Sequence, residues 1–399
     1  MSSIRIEFVL FVVTLIGVAV SHTHALRIAL TGLALLLIYK FGVTGFAEGA
    51  GLNGLLLHLD HEWVLLANLL ALLTSFALLA RHFDATRLPE LLPKWLPDDW
   101  RGGLYLLMMV FVLSAFLDNI AGALIGGTVA STVFRQRVHP GYVAALVAAS
   151  NAGGSGSVVG DTTTTMMWLS GVRPEQVLSA YVPATVAFCV FAVIASRQQH
   201  RHAPIIRHAP TDIRLDGVSL IAVVAILLSA IVSNVVVNGW QPQIAGQWPW
   251  IGTAVWVVLL LFVPLRKPDW SVLPGAFSGA LFLMTLVLMA SLMPVDSLPE
   301  ATLLSTFMLG WVSAVFDNIP LTKLALEQGG YHWGLLAYVV GFGGSMMWFG
   351  SSAGVALCNQ FPQARNGMIW LRGGWHIMLA YVAGFIVYAW WLCSACGPE

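Results

Sequence analysis

Charge is scarce in this sequence. Among 399 residues there are 19 Lys and Arg and 19 Asp and Glu, so charged residues make up 10% and cancel to zero with His neutral. No basic block stands out, which excludes a nucleic-acid surface, because phosphate binding needs clustered Lys and Arg. Cysteine is nearly absent as well: Cys189, Cys358, Cys393 and Cys396. Only the last pair has a motif-like spacing, and without a strand-helix context it reads as incidental, or at most as a periplasmic disulfide. Long polar stretches are missing too, none exceeding roughly 25 residues, so no soluble domain is interposed. What remains is apolar: 58% hydrophobic residues and a mean hydropathy of +0.81. This is the composition of an all-α polytopic membrane protein.

Two stretches recur in order. FLDNIAG (116–122) returns as FDNIPLT (316–322), and GGSGSVVGD (153–161) returns as GGSMMWFGS (343–351). Asp-Asn-Ile repeats at an offset of 199 residues and Gly-Gly-Ser-x4-Gly at 190. Order and spacing together indicate a duplicated unit with glycine-interrupted apolar segments at corresponding positions. Residues 6–20 have the length and lead-in of a signal-peptide core, but the duplication requires them as a helix.

A crossing helix needs about 20 apolar residues. Segments 5–21, 24–42, 62–80, 140–168, 175–196, 217–237, 249–264, 271–293, 333–357 and 373–393 are candidates. Segments 102–134 and 301–330 remain, each with Asp-Asn-Ile near its middle. As one helix, such a segment would run about 50 Å, too long for a single crossing without strong tilt. Folded at Asp-Asn, it gives two arms that dip in and return. If both dip, Arg5, Lys40, Arg173 and Lys323 lie on one side and the other 15 basic residues on the opposite side. If both crossed, the loops would divide nearly evenly, so the positive-inside rule favours dipping. The expected fold is therefore two inverted repeats, each of five transmembrane helices plus one re-entrant hairpin. The first is 1–196, with hairpin 102–134 and broken helix 140–168. The second is 217–399, with hairpin 301–330 and broken helix 333–357. A cytoplasmic linker, 197–216, joins them, and both termini are expected on the periplasmic side of a bacterial inner membrane. Its His200, His202 and His208 read as solvated.

Non-helical backbone at membrane depth persists only where protein or a wet cavity satisfies it. Gly153, Gly154, Gly156 and Gly160, with Gly343, Gly344 and Gly350 in the partner, suggest unwound stretches lining a site; the plainer reading is close helix packing. Asp161 starts the half-helix after the first break and suits an N-cap. Of Thr162, Thr163, Thr164 and Thr165, at most two can face one site, since successive helical residues are about 100° apart; the others bond back to carbonyls. Asp118 and Asp317 sit at the hairpin tips, where an ionisable group is a functional candidate by default. Lys323 can pair with Asp317 or another acid, and Glu327 reads as a solvated charge. Oxygen-only ligands, net negative near the midplane, suit a hard ion such as sodium, or protons; Asp118 and Asp161 are the candidate sodium ligands. His58, Asp60, His61 and Glu62 read as an ordinary interfacial loop. Asn68, Asn234, Asn359 and His376 read as interhelical hydrogen-bonding residues.

SNAGGSGSVVGDTTTTMMW (150–168), FLDNIAG, FDNIPLT and GSSAG (350–354) together resemble the NhaD-type sodium/proton antiporters of the ion transporter superfamily. That superfamily also holds arsenite-efflux permeases, citrate transporters and sodium/dicarboxylate symporters. The resemblance implies inverted repeats with two re-entrant hairpins, elevator-like motion and homodimers. It places Asp118, Asn119, Asp317 and Asn318 at the hairpin tips. It puts Asn151, Gly153, Gly154, Asp161, Thr162 and Thr163 at one interruption, and Gly343, Gly344, Ser345, Ser351 and Ser352 at the other. Lys323 departs from the pattern. The leading expectation is a secondary transporter without cofactor, exchanging a cation such as sodium for protons. The alternative is a coupled carrier of a small carboxylate or oxyanion, its charge held by Lys323 and the half-helix N-termini. An intramembrane aspartyl protease fits poorly, because Val158 replaces the first glycine of Gly-x-Gly-Asp and the duplication has no place in its chemistry. A passive channel is the remaining class.

Overall fold

A computed structural model describes residues 5–21, 24–88, 96–157, 160–205, 215–295 and 298–395. Among these the chain is helical, with no strand beyond one isolated bridge. Six helices are long and apolar enough to cross a membrane: Ala25–Thr44, Gly51–Ala85, Pro174–His202, Gly217–Val237, Trp270–Ser291 and Gly367–Ser394. Shorter apolar helices fill the rest, among them Ile6–Val20 and Trp250–Phe262, of 15 and 13 residues. Large apolar side chains such as Val13, Ile38, Leu57, Ile221 and Leu261 are exposed, as lipid contact requires.

The segments carrying the repeated motifs are each divided into two helices. Segment 102–134 is two helices, Trp100–Ser114 and Asn119–Val133, packed together around a turn at 115–118. Segment 301–330 is Leu303–Ser313 and Asn318–Gln328. Segment 140–168 is Pro140–Ser155 and Thr162–Leu169, and 333–357 is Trp333–Gly343 and Ser352–Gln360.

The chain falls into two compact units. One holds Met1–Leu78, Leu228–Glu300 and Ile319–Gly329. Here Ile6–Val20 packs on Ala25–Tyr39, and Ala25–Tyr39 on Leu273–Ser291. Asn68 Oδ1 accepts from Gly252 N at 3.0 Å and the Trp256 indole donates to Ala71 O at 2.9 Å, so Asn68 is interhelical glue as its residue type suggests. The other unit holds Leu79–Leu227, Ala301–Asn318 and Gly330–Glu399. Its centre is Pro140–Ser155, buried from Gly141 to Ser155. Ala, Gly and Ser dominate that helix, so Trp100–Ser114, Asn119–Val133, Tyr181–His202, Trp333–Gly343 and Gly367–Ala395 can all pack on it.

Three local expectations change. His58, Asp60, His61 and Glu62 are not in a loop but inside the helix Gly51–Ala85, because His58 and Glu62 are buried with polar partners instead of being solvated. The helix Tyr181–His202 carries the chain through His200 and His202, held by buried Gln199, which bonds His139 N, Arg137 O and Ala203 O. Gly153 and Gly154 are still helical, and the first interruption begins at Gly156. His208, Val158, Val159 and Cys396 lie outside the described residues.

Candidate functional site: two broken helices and two tips

Glycine brings the pieces together by removing side-chain thickness. A Cβ on Gly153 would stand 2.0 Å from Phe111 O, and one on Gly160 2.0 Å from Ser114 O. The matching positions repeat the arrangement: a Cβ on Gly343 would stand 2.4 Å from Gly310 O, and one on Gly350 2.5 Å from Ala314 O. Thus each broken helix lies directly on the backbone of the arm leading to a tip. Close packing explains these glycines, as the plainer reading holds, and the polar groups then meet beside the seam.

At the first tip, Asp118 caps Asn119–Val133 by accepting from Ile120 N at 3.3 Å, while its other oxygen faces the Thr162 hydroxyl at 3.4 Å. Thr162 opens the half-helix capped by Asp161, whose Oδ1 accepts from Thr163 N at 3.3 Å. Thr164 and Thr165 hydroxyls donate back to Asp161 O at 2.9 and 3.0 Å, so two of the four threonines are spent on the backbone. The second tip follows the same plan: Ser352 donates to Asp317 at 2.9 Å, and Ser351 caps its half-helix by accepting from Gly354 N at 3.2 Å. Ser114 Oγ bonds Ser150 Oγ at 2.9 Å, and its counterpart Ser313 donates to Val340 O at 2.7 Å.

Asn151 ties the two interruptions together. Its amide donates to Ser345 Oγ at 3.0 Å and Ser351 Oγ at 3.2 Å, and its oxygen accepts from Asn119 at 3.2 Å. Asn119 also donates to Asp161 Oδ1 at 3.3 Å. Asp161 is 1% exposed, yet Oδ2 has no hydrogen-bond partner among the described residues, and neither has the buried Thr163 hydroxyl. A Cβ on Gly341 would sit 3.4 Å from that free oxygen. An ionised, unpaired carboxylate in such surroundings is costly, so this atom calls for a cation or a proton. The half-helix N-terminus at Thr162–Leu169 adds N–H groups, and the side chains of Asp118, Asp161, Thr162 and Thr163 offer oxygen, which suits a hard cation. Among the described residues no group of three or more His, Cys, Asp and Glu gathers to hold a metal, so a transition-metal centre has no ligand set here.

One unit therefore brings together Asp118, Asn119, Asn151, Asp161, Thr162, Thr163, Asp317, Ser345, Ser351 and Ser352, with Gly153, Gly154, Gly343 and Gly344 at the seams. Asn318 is in that unit as well, 2% exposed at the start of its helix. Lys323 belongs to the other unit, where Glu62 and Glu327 hold its ammonium. Ser114, Ser150, Ser313 and Gly341 escaped the sequence reading; the 199-residue offset that pairs Asp118 with Asp317 also pairs Ser114 with Ser313 and was the available signal.

Comparison with known proteins points the same way. No protein-family model matches the chain. The Na(+)/H(+) antiporter NhaD of Alkalimonas amylolytica is 24% identical over 329 residues, covering 70% of this chain and 67% of that protein. Sodium/proton antiporter 2 of Arabidopsis thaliana is 25% identical over 291 residues, 61% of this chain and 66% of the relative. Sodium/proton antiporter 1 of the same plant is 26% identical over 287 residues, 62% of this chain and 48% of the relative. The chain thus spans about two thirds of the first two relatives and about half of the third. In sequence it resembles proteins named NhaD-type sodium/proton antiporters.

Proposed function

We propose that this chain is a secondary transporter, not an enzyme, exchanging sodium or a similar hard cation for protons. The observation that carries the reading is the buried Asp161 Oδ2, without a partner, in a site where the Thr163 hydroxyl is also unpartnered and where Asn119 and then Asn151 link Asp161 to the serines of the other interruption. A single carboxylate that must be neutralised accepts either a proton or a cation, and competition for it couples the two fluxes. Asp118 is the second acid, with Asn119, Asn151, Thr162, Ser345, Ser351 and Ser352 supplying further oxygens, and Asp317 and Asn318 marking the second tip. Three acids with no base among these residues favour a cation over a bare anion. The names of the similar proteins support the same assignment.

The duplicated contacts at Gly153 and Gly343, Ser114 and Ser313, Thr162 and Ser352 support two repeats related in structure as well as sequence. Five crossings per repeat would make them inverted, with both hairpins re-entrant, both termini periplasmic and access alternating by an elevator-like movement. The dimer is proposed on the resemblance alone.

Proteoliposomes with an internal pH dye test the assignment. Sodium or lithium added outside is expected to move protons, and Asp161→Asn to abolish the response at equal protein incorporation. Silence of the wild type toward sodium, lithium and potassium across the pH range would reject it.

A further inference from the structure

Lys323 and Glu62 make an ion pair at 2.7 Å, with side chains 6% and 3% exposed, and Glu327, one turn after Lys323, holds the same ammonium at 2.6 Å. A buried pair of this kind contributes little to stability, because desolvating both charges offsets their attraction. Its presence therefore asks for another explanation, and the duplication supplies a comparison. At the matching positions of the first arm stand Leu124 and Thr128, neither of which carries a charge. That arm, Asn119–Val133, is held by shape: a Cβ on Gly126 would meet Val110 at 2.3 Å, and one on Gly127 would meet Leu357 at 2.3 Å. The second arm has Ala325 and Leu326 there, so this glycine contact is gone. It is also only 11 residues long, with Pro320 in its first turn, too short to hold its position by helix propensity.

We infer that Glu62 is a positioning residue: through its ion pair with Lys323 it holds the helix Asn318–Gln328 and thereby the Asp317–Asn318 tip from which that helix starts. Lys323 lies five residues past Asn318, about 7.5 Å along the axis. A shift of the helix by one rotamer of Lys323 would move the tip by an amount that matters for ion coordination. Lys323 is thus occupied in orienting protein and is not a ligand for a transported anion. The inference rests on the transport reading for its kinetic test, and on the ion pair alone for its physical one.

Wild type, Glu62→Lys, Lys323→Glu and the double reversal are compared in proteoliposomes. Each single reversal is expected to raise the sodium KM by about fivefold or more, and the double reversal to bring it back within about twofold of wild type. Hydrogen exchange of the purified protein, which needs no transport, is expected to speed up about tenfold across 315–328 in Glu62→Gln while 115–125 is unchanged. Wild-type KM in both single reversals would overturn the inference. So would loss of transport in Lys323→Glu without rescue by the double reversal, since the lysine would then act on the ion itself. Unaltered exchange across 315–328 would overturn it even if the wild type transports nothing, so its failure is distinct from failure of the transport reading.

Discussion

Asn151 is the residue on which both interruptions depend. Its side chain satisfies Asn119, Ser345 and Ser351 at once, and no exposed solvent replaces it. Asn151→Ala should therefore cost roughly 1–3 kcal/mol through the polar groups it strands, read as a lower unfolding midpoint in detergent. Outside the membrane segments, His139 caps Pro140–Ser155 by accepting from Gly141 N at 3.1 Å. Burial, with His202 beside it, holds its imidazole below the usual value of 6.5. The unfolded chain then takes up the proton first as pH falls, so stability decreases below about pH 6.5. His139→Asn keeps a capping oxygen without titrating and should flatten thermal midpoints measured between about pH 7 and pH 5. Residue identity alone made Asp118, Asp161 and Asp317 legible, because an acid amid apolar sequence has few bland explanations. Lys323 was conspicuous for the same reason, but of its two acidic partners Glu62 lies 261 positions away, a distance no local pattern spans.

Helix breaks were legible where glycine and polar residues interrupt apolar runs, and each of the four segments is divided into two helices. What the glycines do was less legible. They were expected to unwind the chain, whereas Gly153 and Gly343 remain helical and admit a neighbouring carbonyl. Sequence periodicity carries no sign of what approaches a missing side chain. The element-scale prediction follows directly. Gly153→Ala and Gly343→Ala should each cost about 1–3 kcal/mol or more by overpacking, seen as loss of the monodisperse peak in size-exclusion chromatography. Gly275→Ala and Gly279→Ala, with nothing within 4 Å, should leave the peak intact. Helix lengths were harder to read for a related reason: His58 and Glu62 look like loop residues until Ser291 and Lys323 are seen to cover them.

For the whole molecule, composition alone established a multi-pass helical membrane protein. The division into units was not legible, since each unit draws on both sequence halves and packing does not follow chain order. The proposed orientation rests on the uneven division of the 19 basic residues that two re-entrant hairpins would give. It predicts that alkaline phosphatase fused after Glu399 is active in a bacterial host while a fluorescent protein at the same place stays dark; the reverse pattern would invert the topology. The glycine seams bear on how such a molecule moves. Between Gly153 and Phe111, and again between Gly343 and Gly310, backbone lies on backbone with no layer of side chains to slide or change rotamer. Interfaces of that kind are stiff, so each of these arms and its broken helix are bound to travel as one piece. For the transporter proposed above, such stiffness favours access that carries the whole cradle over access that lifts a flap.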